Sequence, residues 1–465
     1  MKKFLKITLS LLILVVIGYF IYTEYQKTVV FENVVHLDAE SVLKVGIHDI
    51  KKTLIFDALS SPNYYWNNAK FSEHQKEKEV IDEAEKGIDL VPYALVFYTI
   101  KEVKNTLFTT LRIKDTPLFQ AYALRYFNDK NIPIHKDGYS YAIDQKSNWI
   151  CAWNSERLAV AISPNISYQN CKAIFNDVLL ENKLISDKNH FYINKLRASD
   201  DHIIYLKGNS EVTLNFRDGK AVLKGLLYSK FPQTFKSEIS YTSLPKASFQ
   251  LYVDANFKND ANKKAVSRLL EGVSFFKKST IAIPSFLDRV NGTFSLAVKG
   301  TTTQKDTIIT YEYDDNFEKV ETKTIQEKKV PAIAMSIGSE HELNTYLLEQ
   351  GAIENGVLTA IPYYTFYAEQ GSLKANFTTV KNGLATQKMK GDSFFRLETD
   401  FGLLQQDLQL PKAAKIAALL KTLQVYAKQR GENSIELEGK LEGRTADINI
   451  LSQLFFGSQL KDTMP

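Results

Sequence analysis

Cysteine is almost missing from this chain: Cys151 and Cys171 are the only two in 465 residues. A disulfide framework of the kind that staples small secreted domains is therefore excluded. With no Cys-x-x-Cys and no Cys/His grouping, a structural zinc site has no ligand set. Glycine-rich phosphate loops are absent too: neither Gly-x-x-x-x-Gly-Lys nor Gly-x-Gly-x-x-Gly occurs, so the backbone cradle of common nucleotide sites is lacking. The Gly-x-Ser-x-Gly elbow and the His-Glu-x-x-His helix are missing as well, and with them two familiar hydrolase signatures. The seven histidines contain no i, i+4 pair that sets two imidazoles on one helix face. Net charge is only +5 and the basic residues are scattered, which argues against a nucleic-acid partner. No cofactor and no metal is expected.

What is present describes a folded protein. Hydrophobic residues make up 44% and charged residues 24%, enough apolar material for sizeable cores. At roughly 100–200 residues per domain, two or three domains are expected. The 28 Phe and 24 Tyr favour strands, where flat side chains suit a pleated surface.

The N-terminus carries Lys2, Lys3 and Lys6, then an uncharged run from Ile7 to Tyr22. A spanning helix needs about 20 mainly apolar residues. Residues 4–22 meet this if Lys6 reaches the headgroups, with Tyr19 and Tyr22 at the interface. The leading lysines should stay cytoplasmic, so the bulk of the chain is expected outside the cytoplasm. A cleaved signal peptide needs small residues at its processing site, and Ile21-Tyr22-Thr23-Glu24-Tyr25 is bulky. A lipoprotein needs a cysteine just after the run, and none is there. The expectation is an uncleaved single-pass anchor in the inner membrane with a periplasmic body.

The remainder reads as α+β. Residues 1–30 form the lysines, anchor and tether, 31–235 a first module, and 236–465 a second, each an antiparallel sheet backed by helices. In the first, strands are predicted at Leu43–Ile47, Val91–Thr99, Thr106–Ile113, Tyr139–Ile143, Asn148–Trp153, Leu158–Ile162, His202–Leu206, Glu211–Phe216 and Ala221–Tyr228. Helices are predicted near Ile50–Leu59, Glu73–Lys86, Pro117–Asp129, Tyr168–Leu180 and Phe191–Arg197. Asn63–Lys70 reads as an aromatic loop. Phe231–Lys246, with Pro232 and Pro245, reads as a linker. The order then restarts: strand Ser248–Val253, helix Lys263–Leu270, strands Thr293–Val298 and Thr307–Tyr313, Pro331–Ile337 leading into helix Glu340–Gln350, and strands Tyr363–Ala368, Leu373–Thr378, Leu384–Met389 and Phe394–Glu398. The stripe Ile416, Leu419, Leu420, Leu423 predicts a long helix over Lys412–Arg430 ended by Gly431. Strands Ile435–Leu441 and Thr445–Ile450 are expected to close the set as a hairpin. That ending parallels the turn Asp218-Gly219-Lys220 of the first half and suggests a duplication.

Leu37-Asp38-Ala39, Gly87-Ile88-Asp89-Leu90, Trp149–Trp153 followed by Leu158–Ile162, and Asp201-His-Ile-Ile-Tyr-Leu206 resemble segments of uncharacterised, N-terminally anchored envelope proteins of Bacteroidetes-type bacteria. The resemblance spans most of residues 36–230 in short pieces, and the chain lacks the lipoprotein cysteine of some members. It implies an envelope location and tandem α+β architecture, and it supplies no catalytic residue.

Few residues invite a chemical role. Asp200-Asp201-His202 has the types of an acid/base site and equally those of a loop entering a strand. Asp314, Asp315, Glu318 and Glu321 form an acidic stretch that lacks the spacing of a calcium loop. Asp254, Asn256, Asp260 and Asn262 suit helix capping. Cys151 and Cys171 are a candidate disulfide, with two separately buried thiols as the alternative. Tyr64, Tyr65 and Trp66 are candidates for a binding surface, offering rigid aromatic contact area. Two function classes remain: an anchored envelope protein that binds a protein, glycan or lipid or serves as scaffold, and an envelope hydrolase with an unrecognised site.

Overall fold

A computed structural model describes residues 22–73, 86–88, 93–228, 238–273, 276–277, 279–313, 318–340, 343–359, 361, 364–369, 374–381, 385–390, 393–408, 414–431 and 433–459. Among them no helix is long and apolar enough to cross a membrane. The expected anchor, apart from Tyr22, lies outside the described residues, as does most of the expected helix Glu73–Lys86. The chain forms two compact units, the first ending at Phe216 and the second beginning at Arg217.

The first unit is built on a wholly antiparallel sheet. Its strands are β1 (Ala39–Val45), β2 (Leu95–Ile100), β3 (Val103–Arg112), β4 (Ile134–Lys136), β5 (Ser140–Asp144), β6 (Trp149–Trp153), β7 (Arg157–Ile162), β8 (Ile203–Lys207) and β9 (Ser210–Arg217). They pair in the order β9-β8-β1-β2-β3-β7-β6-β5-β4. Alternation decides the faces. Val96, Tyr98 and Ile100 of β2 turn to one side, with Ile150 and Ala152 of β6. There they meet Ile174, Phe175 and Val178 of the helix Tyr168–Leu179 and Ile193 and Leu196 of the helix Phe191–Ala198. The opposite side of β6 presents Trp149, Cys151 and Trp153 to the helix Thr116–Asp129, which packs Phe119, Ala123 and Phe127 there. That helix starts where the sequence says it should. Asp115 accepts the Leu118 N–H at 3.0 Å, and Pro117 sits in the first turn.

The second unit also pairs antiparallel. Its strands are β10 (Lys220–Tyr228), β11 (Glu238–Ser243), β12 (Phe249–Asp254), β13 (Val290–Tyr313), β14 (Lys319–Ser339), β15 (Ile353–Glu354), β16 (Val357–Leu358), β17 (Tyr367–Glu369), β18 (Lys374–Thr378), β19 (Ala385–Lys390), β20 (Ser393–Asp400), β21 (Leu420–Gly431) and β22 (Ser434–Gly443). The order is β10-β22-β21-β20-β12-β13-β14-β18-β17-β16-β15, with β11 and β19 as a separate pair. β13 and β14 run 24 and 21 residues as one hairpin. Cross-strand Lys305 and Glu327 oppose each other along it.

Several expectations are corrected. Lys412–Arg430 is no long helix: a short helix, Ala414–Leu419, gives way to β21, which is paired on both edges by β20 and β22. The closing hairpin of the second half fails as well. β22 pairs with β21 before it, and the chain after Gly443 ends in the helix Ile450–Gln459, so the suggested match between the two halves' endings is lost. The stretch expected as linker contains β11. The two strands expected over Thr293–Tyr313 are one.

Candidate binding cavity

The second unit holds an apolar cavity of about 420 Å³. Its floor is one face of the sheet. Val253, Phe294 and Ile337 stand directly opposite one another on β12, β13 and β14. Met335 and Phe377 make the next row on β14 and β18. Strand alternation thus gathers residues more than a hundred positions apart onto one surface. Val266 and Leu270, one helical turn apart on the helix Asp260–Leu270, form the opposite wall. Phe286 and Leu287 of the helix Ile283–Leu287, with Leu347 and Leu358, close the sides.

The polar groups around this space bond among themselves. Thr293 carries the one side-chain hydroxyl among the lining residues, and it donates to Asn291 Oδ1 at 2.7 Å. Asn259 caps the helix, accepting the Ala261 N–H at 3.0 Å. Buried Asn262 donates to the Ala255 carbonyl at 2.7 Å, and Asp254 Oδ1 accepts the Asn256 N–H at 3.1 Å. The acidic and amide residues of this stretch therefore fasten the helix to the strand before it. Gly292 also lines the cavity, at a bulge with φ +93°. A Cβ there would come within 3.1 Å of the Asn256 and Phe257 backbone nitrogens, so the position needs glycine.

The cavity is open to solvent on one side, where Val273 is 42% exposed. Its apolar walls therefore stand against water that finds almost no polar partner there, and covering them gains about 25 cal/mol for each Å² withdrawn.

The sequence candidates lie elsewhere, in the first unit. Tyr64, Tyr65 and Trp66 sit on a helix, Pro62–Glu73, and not on the expected loop. The Tyr65 hydroxyl donates to Asp57 Oδ2, Tyr64 is half-buried, and Trp66 is 68% exposed. Cys151 and Cys171 are unbridged. They occupy opposite faces of the sheet, Cys171 in the core under its own helix and Cys151 against the Trp149 side. Burial pushes the Cys151 thiol up to about 12 and the Cys171 thiol to about 11, which leaves both unreactive at neutral pH.

Asp200, Asp201 and His202 are engaged in holding β8. Asp200 pairs with Lys27 at 2.7 Å, a contact that lowers its pKa. Asp201 accepts from Ser199 Oγ at 2.8 Å and from Asn215 Nδ2 at 2.5 Å. His202 meets Thr53 Oγ1 through Nε2 at 2.9 Å and accepts the Phe216 N–H through Nδ1 at 2.9 Å. Close by is a group that sequence reading missed. Lys44 is 2% exposed, donates to the Ser199 carbonyl at 2.5 Å and lies 3.7 Å from Asp49 Oδ2. Burial lowers the Lys44 pKa and raises that of Asp49, each shift opposed by the partner's charge. Period-two alternation around Val42 was the available signal: it places Lys44 on the buried face of β1. Among the described residues no group of three His, Cys, Asp or Glu side chains could hold a metal ion. Asp314 and Asp315 of the acidic stretch lie outside the described residues, and Glu321 stands opposite Tyr311 on the long hairpin.

No protein-family model matches the chain, and no curated protein does. Two solved structures of TP0453 show slight likeness. Crystal form IV is 9% identical with a TM-score of 0.24, over 41% of this chain and 76% of that one. Crystal form III is 7% identical with a TM-score of 0.21, over 75% and 90%. Likeness this slight assigns the chain to no family.

Proposed function

We propose that this protein is a binding protein of the bacterial envelope that holds an apolar ligand, without covalent chemistry, in the cavity of its second unit. The observation that carries the reading is the cavity itself. Its volume lies in the range of small-molecule sites, and its walls are almost entirely apolar. An occupant gains about 25 cal/mol for each Å² of apolar surface withdrawn from water. Placement in the envelope rests on the sequence: three lysines ahead of residues 4–22, a run of spanning length. An anchored binder of apolar ligands has an obvious source and sink in the bilayer beside it.

The test is photolabelling of the full chain in its native membranes with a neutral, diazirine-bearing long-chain alcohol. Peptides containing Val266 and Leu270 should carry the label, and Val266→Trp, which fills the space, should remove most of it. Label spread over the chain in proportion to surface apolarity, unchanged by Val266→Trp, refutes the reading.

A further inference from the structure

We infer that the occupant is a single-chain carboxylic acid of the long-chain fatty-acid type, its tail in the cavity and its carboxylate at the mouth beside Lys277; the inference rests on the cavity being a ligand site. Size comes first. A methylene takes up about as much room as a water molecule, roughly 30 Å³, so 420 Å³ has room for about 14 of them. One long alkyl chain fits that number, while a two-chain phospholipid needs about twice the space.

The walls decide where a polar end must go. Thr293 spends its hydroxyl on Asn291 at 2.7 Å, so nothing inside satisfies a carboxylate, and burying one unpaired is prohibitive. The head therefore stays at the surface. The mouth is marked by Val273, a lining residue that is 42% exposed, next to Leu269 at 73%. The Lys277 N–H donates to the Val273 carbonyl at 3.3 Å, which sets Lys277 one turn beyond the lip, and it is exposed. The segment 258–277 holds five cations, Lys258, Lys263, Lys264, Arg268 and Lys277, against two carboxylates, Asp260 and Glu271. Lys263 is already paired with Asp288 at 2.5 Å, and the other four outnumber Asp260 and Glu271 by two, so the segment carries a net positive charge. Such a charge favours an anionic head over a neutral or cationic one.

The experiment uses the full chain in membranes and compares matched photoactivatable lipids: a diazirine-bearing palmitic acid, the corresponding alcohol, an eight-carbon acid and a two-chain phosphatidylglycerol. The expected result is labelling of the Val266–Phe276 region by palmitic acid about fivefold above the alcohol, a preference that Lys277→Glu abolishes. Lys277 is exposed, so this variant should fold as the parent does, and labelling by the neutral alcohol should persist in it. Equal labelling by acid and alcohol overturns the carboxylate and leaves the cavity reading intact. Equal labelling by the eight-carbon acid overturns the long chain, and equal or stronger labelling by phosphatidylglycerol overturns the single chain. If no probe labels the cavity, the inference falls together with the binding reading.

Discussion

Lys44→Met should destabilise the first unit, and a second substitution at its partner should restore much of the loss. Lys44 is 2% exposed and the Asp49 side chain 11%, with Nζ and Oδ2 3.7 Å apart. At an effective dielectric of about 20, two unit charges at that distance attract by about 4 kcal/mol. Removing both from water costs several kcal/mol, so the intact pair is near break-even. Removing one partner is a different matter. Lys44→Met strands the Asp49 carboxylate in a nearly closed site and takes the donor from the Ser199 carbonyl. The expected loss at neutral pH is about 3–4 kcal/mol, of which Lys44→Met/Asp49→Asn should recover at least about half. The sign of the pH dependence follows. Burial already raises the Asp49 pKa against the pull of Lys44, and without the lysine it rises further. A carboxyl whose folded pKa is raised is unpenalised while protonated and costs stability as pH climbs through that pKa. The deficit of Lys44→Met should therefore be larger at pH 7 than at pH 4. The assay is urea unfolding followed by tryptophan emission. Trp66, Trp149 and Trp153 are the chain's three tryptophans, and all belong to the first unit. A single variant as stable as the parent at pH 7, or a double variant less stable than the single, refutes the argument.

Other perturbations have equally definite outcomes. Phe175 is fully buried among Phe108, Tyr139 and Tyr168, with ring centroids 6.3–6.4 Å away, so Phe175→Ala should cost about 3–5 kcal/mol in the same urea assay. Gly87 has φ +63°, and a Cβ there would lie 2.2 Å from the Asp115 carbonyl oxygen. Gly87→Ala should lower stability by about 2 kcal/mol or more, and an unchanged midpoint would contradict the observed backbone. Thiol titration of unreduced protein should find Cys151 and Cys171 silent when native and both reactive in denaturant; the loss of both thiol equivalents in denaturant, restored by a reductant, would mean a bridge. Protease added to spheroplasts should digest the bulk of the chain, and survival of the full-length protein would overturn the envelope placement.

The sequence was legible where local pattern and tertiary role agree. Asp115-Thr116-Pro117 announces a helix start, while the helical spacing of Leu118, Phe119, Tyr122 and Tyr126 gave the face only in part: Phe119 is buried with Ala123 and Phe127, and Leu118 is 42% exposed. The alternating runs of β5, β6 and β7 lie within a residue or so of their expected bounds. Lys412–Arg430 misled because its pattern serves two periods. Ile416, Leu419, Leu420 and Leu423 recur as on a helix, while Leu423, Val425 and Ala427 alternate as in a strand. Pairing with β20 on one edge and β22 on the other settles the choice, and neither partner is visible within the window itself. Asn63–Lys70 was read as an aromatic loop, yet the proline just before it suits the first turn of a helix, and there it starts Pro62–Glu73. The separation of the two cysteines was readable in principle. With Ile150 and Ala152 on the face of β6 under the helix Tyr168–Leu179, the period of two sends Cys151 to the face under the helix Thr116–Asp129.

The cavity was beyond the sequence for a more general reason. Each wall residue, taken alone, has the chemistry of a core residue, and Val253, Phe294, Ile337 and Phe377 become neighbours only through the register of four strands. An unfilled core and a filled one share a composition; they differ in how much bulk each covering element delivers. In the first unit the helix Tyr168–Leu179 sends Ile174, Phe175 and Val178 into the core, and Phe175 alone touches three other rings. In the second, the helix Asp260–Leu270 sends only Val266 and Leu270 over the sheet, with alanines at 261 and 265 and cations at 264 and 268. A larger side chain at Val266 would narrow the gap. The space follows from what that helix withholds, and it is the space that the proposed apolar occupant requires.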